Sequence, residues 1–270
     1  MQHWQWADGS EIPYITIPHW REAGVKIAFS SRWGGSSPPP FASLNLGLHV
    51  GDEREKVLDN RRRFLASLGQ KLENLVCCQQ VHGQRVLRVD KSLAGSGAWD
   101  YESALPDFDA MVGHSPGIIL GSFYADCLPL FFFDPKKRVV AMAHSGWKGT
   151  MGKIAAESVK EMLKLGCLPR DIEVFLGPGI GPCCFQIQPE LVLRVKTAFP
   201  HHQVILRENA HGYYWDLRES IKQSLQESGI QEAHIIDSHL CTACNCHLFF
   251  SYRAEKGRTG RMGAFIGLED

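Results

Sequence analysis

The sequence predicts a mixed-sheet α+β domain. Three observations carry that expectation. Two apolar runs, 128–133 and 139–143, flank the turn signal Asp134-Pro135-Lys136-Lys137, the pattern of two buried strands joined as a hairpin. Other strand-like and helix-like stretches are interspersed without strict βαβ alternation, which disfavours a doubly wound sheet. The chain has 270 residues, 44% of them hydrophobic, enough for one large core. A single domain over 1–270 is expected, with residues 1–23 as an arm packed on the body through Trp4, Trp6, Tyr14 and Trp20.

Taken in order, Val25 to Ser31 reads as a strand ending in the glycine turn Arg32-Trp33-Gly34-Gly35. Next comes the clearest helix start, with Asp52 as N-cap, Glu55 completing a capping box, and Gly69 as the stop. Val57, Leu58, Phe64, Leu65 and Leu68 share one face of this helix. Its Arg61-Arg62-Arg63 run is a solvated face unless one guanidinium turns inward to hold an anion. Strands are expected at 76–80, 85–89, 109–112 and 117–123, with a surface loop over 91–106. After the hairpin a helix is expected from Thr150 to Leu165 with Gly166 as its stop, then a strand at 172–176. Helices at about 189–199 and 216–228, short strands at 234–237 and 248–251, and a closing strand at 262–268 complete the pattern.

Charge excludes several classes of partner. Lys plus Arg and Asp plus Glu both number 29, so no bulk charge draws the chain to nucleic acid or an anionic membrane. No apolar run approaches the ~18 residues of a membrane span. The opening residues lack a basic stretch followed by an apolar one, and nine cysteines is an odd count for a disulfide framework. The expectation is a cytoplasmic protein with reduced thiols.

Reactive groups bracket the hairpin: Asp126 and Cys127 before it, His144 and Ser145 after it. Antiparallel pairing would bring Cys127 and His144 to one end. A thiol beside an imidazole serves as a nucleophile–base pair or as two metal ligands, or simply packs in the core. Gly146 to Lys153 fails the phosphate-loop pattern, because five residues separate its outer glycines and Ile154 stands where Ser or Thr is required. Glycines at a helix start still leave N–H groups free near Thr150 for an anion. The densest ligand cluster by sequence is Cys241-Thr242-Ala243-Cys244-Asn245-Cys246-His247. A lone Cys-x-x-Cys is a weak zinc signal. Cys183 and Cys184 could complete it, but adjacent residues of a strand point to opposite faces, so buried thiols are the expectation.

Five motifs in order carry a resemblance: Gln80-Val81-His82-Gly83, Ala125-Asp126-Cys127-Leu128-Pro129, the stretch from Ala143 to Thr150, Gly177 to Cys184, and Phe249 to Arg253 followed by Thr259-Gly260-Arg261. Together with Arg32-Trp33-Gly34-Gly35 and Asn45-Leu46-Gly47, they resemble the YfiH family, whose members have been called laccase-domain proteins, polyphenol oxidases and peptidoglycan editing factors. The resemblance implies an α+β sandwich with flanking helices, related to the catalytic domain of cytotoxic necrotising factors. It implies His82, Cys127 and His144 as metal ligands, usually for zinc. It also implies phosphorolysis of adenosine, inosine, guanosine and methylthioadenosine, and deamination of adenosine, so purine nucleosides and phosphate are the expected partners.

Chemistry then assigns roles to test. Two imidazoles and a thiolate leave a fourth zinc position open, as a catalytic site requires. Asp126 is a candidate proton shuttle or orienting group, or alternatively a capping carboxylate. Arg32 and Arg61 are candidates for phosphate, and Asn45 and Gln80 for ribose or base. Two rivals stand beside this reading. One is a cysteine amide hydrolase acting on muramyl peptide precursors, with Cys127 as nucleophile. The other is weak phenol oxidation by copper taken up in vitro. A multicopper centre is disfavoured, since no two of the 12 histidines are two apart.

Overall fold

The computed structural model describes residues 3–7 and 11–269. Its frame is two six-stranded mixed sheets. The first runs Gln5–Trp6, Tyr14–Thr16, Val25–Ser30, Met262–Leu268, Ile119–Tyr124, Leu75–Cys77. The second runs Ile235–Asp237, Glu173–Leu176, Leu128–Asp134, Val139–Ser145, Ala110–Gly113, Val86–Arg88. Most neighbours are antiparallel, but one pair in the first sheet and two in the second are parallel.

The hairpin explains the layering. Leu128, Leu130 and Phe132 pack with Ile154, Val159, Leu217 and Ile221 in one core. Phe131 and Phe133, on the opposite face, pack with Phe29, Leu120, Tyr124 and Ile266 of the other sheet. Both faces of this strand are therefore buried, so it reads as a continuous apolar run and not an alternating one. A third core lies on the far face of the first sheet, where Ala28, Ile119 and Phe265 meet Phe64 and Leu65 of the helix Arg54–Ser67. The result is a sheet-on-sheet sandwich with a helix layer on each outer face, and the expected α+β fold holds.

Several local expectations need correction. The first long helix starts at Arg54, with Glu53 rather than Asp52 at its N-cap position, and no capping box forms. Asp52 instead accepts from Ser37 Oγ at 2.6 Å and Asn45 Nδ2 at 2.9 Å, tying down the preceding loop. The helix expected from Thr150 to Leu165 is two, Trp147–Met151 and Ile154–Leu163, broken where Lys153 turns left-handed at φ 55°. Residues 248–251 form no strand. Their backbone serves loop contacts, with Leu248 O accepting from Arg32 N and Ser251 N donating to Glu255. The N-terminal stretch is more than an arm, because Tyr14–Thr16 joins the first sheet and Trp20 is fully buried. A small sheet of Gln186–Ile187, Gly212–Trp215 and Leu206–Asn209 was not expected at all.

A buried ion pair secures the edge strand Ile235–Asp237. Asp237 Oδ1 lies 2.7 Å from Arg218 Nη1, and Lys222 lies 2.8 Å from the other oxygen. Arg218 also donates to Leu240 O. Burial would raise the Asp237 carboxyl, but Arg218 and Lys222 outweigh it and hold it below the ordinary value. Removing one member of such a pair costs about 3–5 kcal/mol. Asp237→Asn is therefore expected to lower unfolding free energy by roughly that amount at pH 7. Because the folded carboxyl titrates lower than the unfolded one, the wild-type advantage is present above about pH 4 and drains away below it. Urea midpoints of both proteins at pH 7 and at pH 3 check the size and the sign.

Candidate metal and substrate site

The hairpin register sets the site. Pro129 pairs with His144 and Leu128 with Ser145, so Cys127 and Gly146 follow at the same end. They are close enough that a Cβ on Gly146 would sit 2.8 Å from Cys127 Sγ and 3.1 Å from His82 Cδ2. The next strand, Ala110–Gly113, pairs with the same strand and places Asp109 beside them.

Asp109 organises the centre. Its Oδ1 lies 2.8 Å from His144 Nδ1 and accepts from His82 N at 2.9 Å. Its Oδ2 accepts from Gly83 N at 2.7 Å and Val81 N at 3.1 Å. Three successive N–H groups thus close on one carboxylate, an anion-binding nest that holds His82 at φ 61°. Burial would raise the Asp109 carboxyl, but His144 and these backbone donors keep it below its ordinary value. With Nδ1–H donated to Asp109, His144 presents Nε2 to the other donors.

Burial would raise the Cys127 thiol, yet the facing His144, with hydrogen bonds from His144 and His82, brings it down to about 6. Burial would lower His144, but Cys127 and Asp109 push it up to about 9. The pair therefore favours the thiolate with the proton on His144, and a cation bound there would take the place of the proton on Nε2.

The donor atoms of His82, Cys127 and His144 all lie within 4.8 Å of one another. Bonds of about 2.0–2.1 Å from nitrogen and about 2.3 Å from sulfur to a tetrahedral zinc would set such atoms roughly 3.3–3.6 Å apart. The donor set, the ionised thiolate and the Asp109 support for His144 all fit such an ion. Asp109→Asn is expected to weaken metal affinity by roughly 10- to 100-fold, the usual effect of removing such a support. Competition with a chromogenic chelator measures it.

These groups open into a cavity of about 500 Å³. Phe123, Trp147, Phe185 and Tyr252 supply aromatic lining, and Arg253 and Arg261 bring cationic groups. Of the residues singled out in the sequence, His82, Asp126, Cys127, His144 and Gln80 line it. Gln80 is clamped to Phe123, accepting from its N–H at 2.8 Å and donating to its carbonyl at 2.9 Å. Both Asp126 oxygens are occupied: Oδ1 accepts from the Thr242 and Ser251 hydroxyls, and Oδ2 from Arg253 N. These contacts favour an anchor over a proton shuttle.

Arg32, Asn45 and Arg61 are not brought into the lining. Arg32 donates to Ala42 O and Cys246 O and pairs with Glu255. Arg61 does turn inward, but it donates to the carbonyls of Leu46, Gly97 and Ala98 and stacks 4.3 Å from the Phe123 ring centroid. Asn45 Oδ1 accepts from Arg261 N at 2.9 Å, so its work is to place Arg261. Near the expected anion site, Thr150 N donates to Gly146 O at 2.8 Å and the Thr150 hydroxyl pairs with Ser145 Oγ at 3.0 Å, so both donors of Thr150 are already engaged. Asp109 went unassigned by sequence reasoning, and Arg261 was quoted only within a motif.

Residues 26–269 match a family model described as multi-copper polyphenol oxidoreductase laccase. The chain belongs to that family. Among its relatives is the purine nucleoside phosphorylase YlmD of Geobacillus stearothermophilus, 42% identical over 248 residues, 91% of this chain and 90% of that protein. The purine nucleoside phosphorylase YfiH of Escherichia coli is 34% identical, covering 94% and 98% respectively. Adenosine deaminase RL5, from an unknown prokaryotic organism, is 33% identical over 91% of this chain and 94% of its own length. The crystal structure of G. stearothermophilus YlmD superposes over the whole of both chains, with a TM-score of 0.94 and 38% identity. The Bacillus licheniformis YfiH structure gives 0.93 with 35% identity, over 98% of this chain and 99% of that one. These YfiH and YlmD structures agree with the sandwich described above. The family description speaks of several coppers; the constellation here is one thiolate and two imidazoles. No helix among the described residues is long and apolar enough to cross a membrane.

Proposed function

We propose that the chain is a zinc-dependent purine nucleoside phosphorylase that also deaminates adenosine. One observation carries the reading: a cavity of about 500 Å³ that joins a two-histidine, one-cysteine donor set to aromatic lining and two arginines. The names of the relatives point to the same two reactions. Sites for small ligands combine apolar walls with a few placed polar groups, and this cavity suits a flat purine.

His82, Cys127 and His144 would hold zinc, which when bound would supply Lewis acidity and an activated water for replacing the 6-amino group of adenosine, which leaves as ammonia. Phe123, Phe185 and Tyr252 give the cavity aromatic surface against which the base would pack. In phosphorolysis a phosphate oxygen bonds to ribose C1′ as the bond to the base breaks, and the base leaves with a proton. Arg261 is the group assigned to phosphate, since a guanidinium offers a fork of donors to such an oxyanion. Asp126 holds Arg253 N and so fixes the neighbouring wall. Asp109 keeps His144 in one tautomer throughout.

Product analysis tests the reading. Adenosine incubated with zinc-loaded protein should give adenine and ribose 1-phosphate only when phosphate is present, and inosine with or without it. Adenosine, inosine and guanosine all returned unchanged would remove the purine reading. A second reading rests on the Cys127 thiol being lowered to about 6: without metal, the thiolate beside His144 is a competent nucleophile for an amide hydrolase. Muramyl peptide precursors are the substrates to try for it.

A further inference from the structure

Outside this site the structure gathers four cysteines. Cys183 and Cys184 come from the turn after the 173–176 strand, and Cys241 and Cys244 from the loop after 235–237. Their sulfurs all lie within 4.8 Å of one another. Adjacent cysteines converge here because they sit in a turn, not on a strand. Cys244 Sγ is 3.4 Å from Cys183 Sγ and 3.4 Å from Cys184 Sγ. A disulfide would need about 2.05 Å. Gly181 N donates to Cys241 Sγ at 3.2 Å, a contact that favours the thiolate form. Gly181 packs tightly on the cluster, where a Cβ would lie 3.2 Å from Cys241 Cβ and 3.3 Å from Cys183 Sγ.

We propose that Cys183, Cys184, Cys241 and Cys244 form a second metal site, a closed four-thiolate zinc centre that fastens the 177–185 loop to the 238–247 loop. Neutral thiols are weak hydrogen-bonding groups and gain little by converging. Four thiolates repel one another unless a cation lies between them. An all-sulfur tetrahedral set with no open position is the donor chemistry of structural zinc. Two bonds of about 2.3 Å at the tetrahedral angle set sulfurs roughly 3.8 Å apart, within the spread seen here.

The same two loops are joined at Gly179 and Cys241 by an isolated bridge. Their neighbours reach the cavity: Ile180 N donates to Asp126 O at 2.7 Å, and Thr242 Oγ1 to Asp126 Oδ1 at 2.6 Å. Ile180 and Phe185 are themselves lining residues. Zinc at the four cysteines would therefore brace the wall beside Cys127 without touching substrate. This inference does not depend on the reaction the cavity catalyses.

Metal content of the full chain tests it. The unmodified protein, purified under reducing conditions with zinc supplied, should hold two zinc ions per chain. His82→Ala/His144→Ala should keep one, with a zinc absorption edge showing four sulfur neighbours at about 2.3 Å. Adding Cys183→Ser and Cys244→Ser in that background should remove it. If the histidine variant does not fold, the unmodified chain decides: two zinc ions with more sulfur than nitrogen neighbours support the site. A single zinc bound mostly by nitrogen overturns it. So does a folded histidine variant without zinc, or a disulfide among the four cysteines in freshly purified protein.

Discussion

Cys127→Ala is expected to lose bound metal from the cavity and turnover on adenosine together. The sulfur is the anionic donor of the three, and the neighbouring imidazoles favour its thiolate form. A metal acting as Lewis acid contributes several kcal/mol, so the rate should fall by roughly 10³-fold or more. The fold should survive, because Cys127 is only half-buried and sits at the edge of its core cluster. Metal analysis, circular dichroism and turnover on one preparation check all three. A variant that kept metal in the cavity and a full rate would remove the centre from the account.

Arg261→Met is expected to divide the two reactions. Arg261 is half-buried, with Nη1 on the carbonyls of Thr259 and Gly260, its N–H on Asn45, and its stem against Gly47. Such a fixed guanidinium is worth more to an oxyanion than a mobile one, because its ordering cost is already met. Phosphorolysis, read as kcat/KM for phosphate, should fall roughly 10²- to 10³-fold, while deamination, which needs no phosphate, should fall less than about 10-fold. Arg261→Lys should restore only part, since an ammonium is a point charge without the fork. Equal losses in both reactions would instead make Arg261 a holder of the nucleoside.

The frame of the fold was legible because its signals are long. Phe131, Phe132 and Phe133, closed by Asp134-Pro135, read as a buried strand, and the structure buries both of its faces. Short elements were not: Gln186–Ile187 is held by pairing with Gly212–Trp215, and nothing in a two-residue stretch announces a partner far along the chain. At the site, spacing placed Cys127 and His144 together, but only resemblance added His82. Asp109 was illegible because it read only as the first residue of an expected strand, and its partners come from residues 81–83 and 144. Arg32, Asn45 and Arg61 were chosen for the chemistry of their side chains. The structure spends that chemistry one layer back, on the carbonyls and N–H groups that shape the loops. Cys183 and Cys184 were set aside by a rule for strands, and they stand in a turn.

The most direct measurement is turnover of adenosine in phosphate buffer after complete chelation, followed through zinc add-back. The account predicts that the metal-free protein is inert and that zinc restores adenine release, in the unmodified chain but not in Cys127→Ala. Full turnover by metal-free protein, abolished when Cys127 is alkylated, would contradict it and leave the free thiolate as the working group.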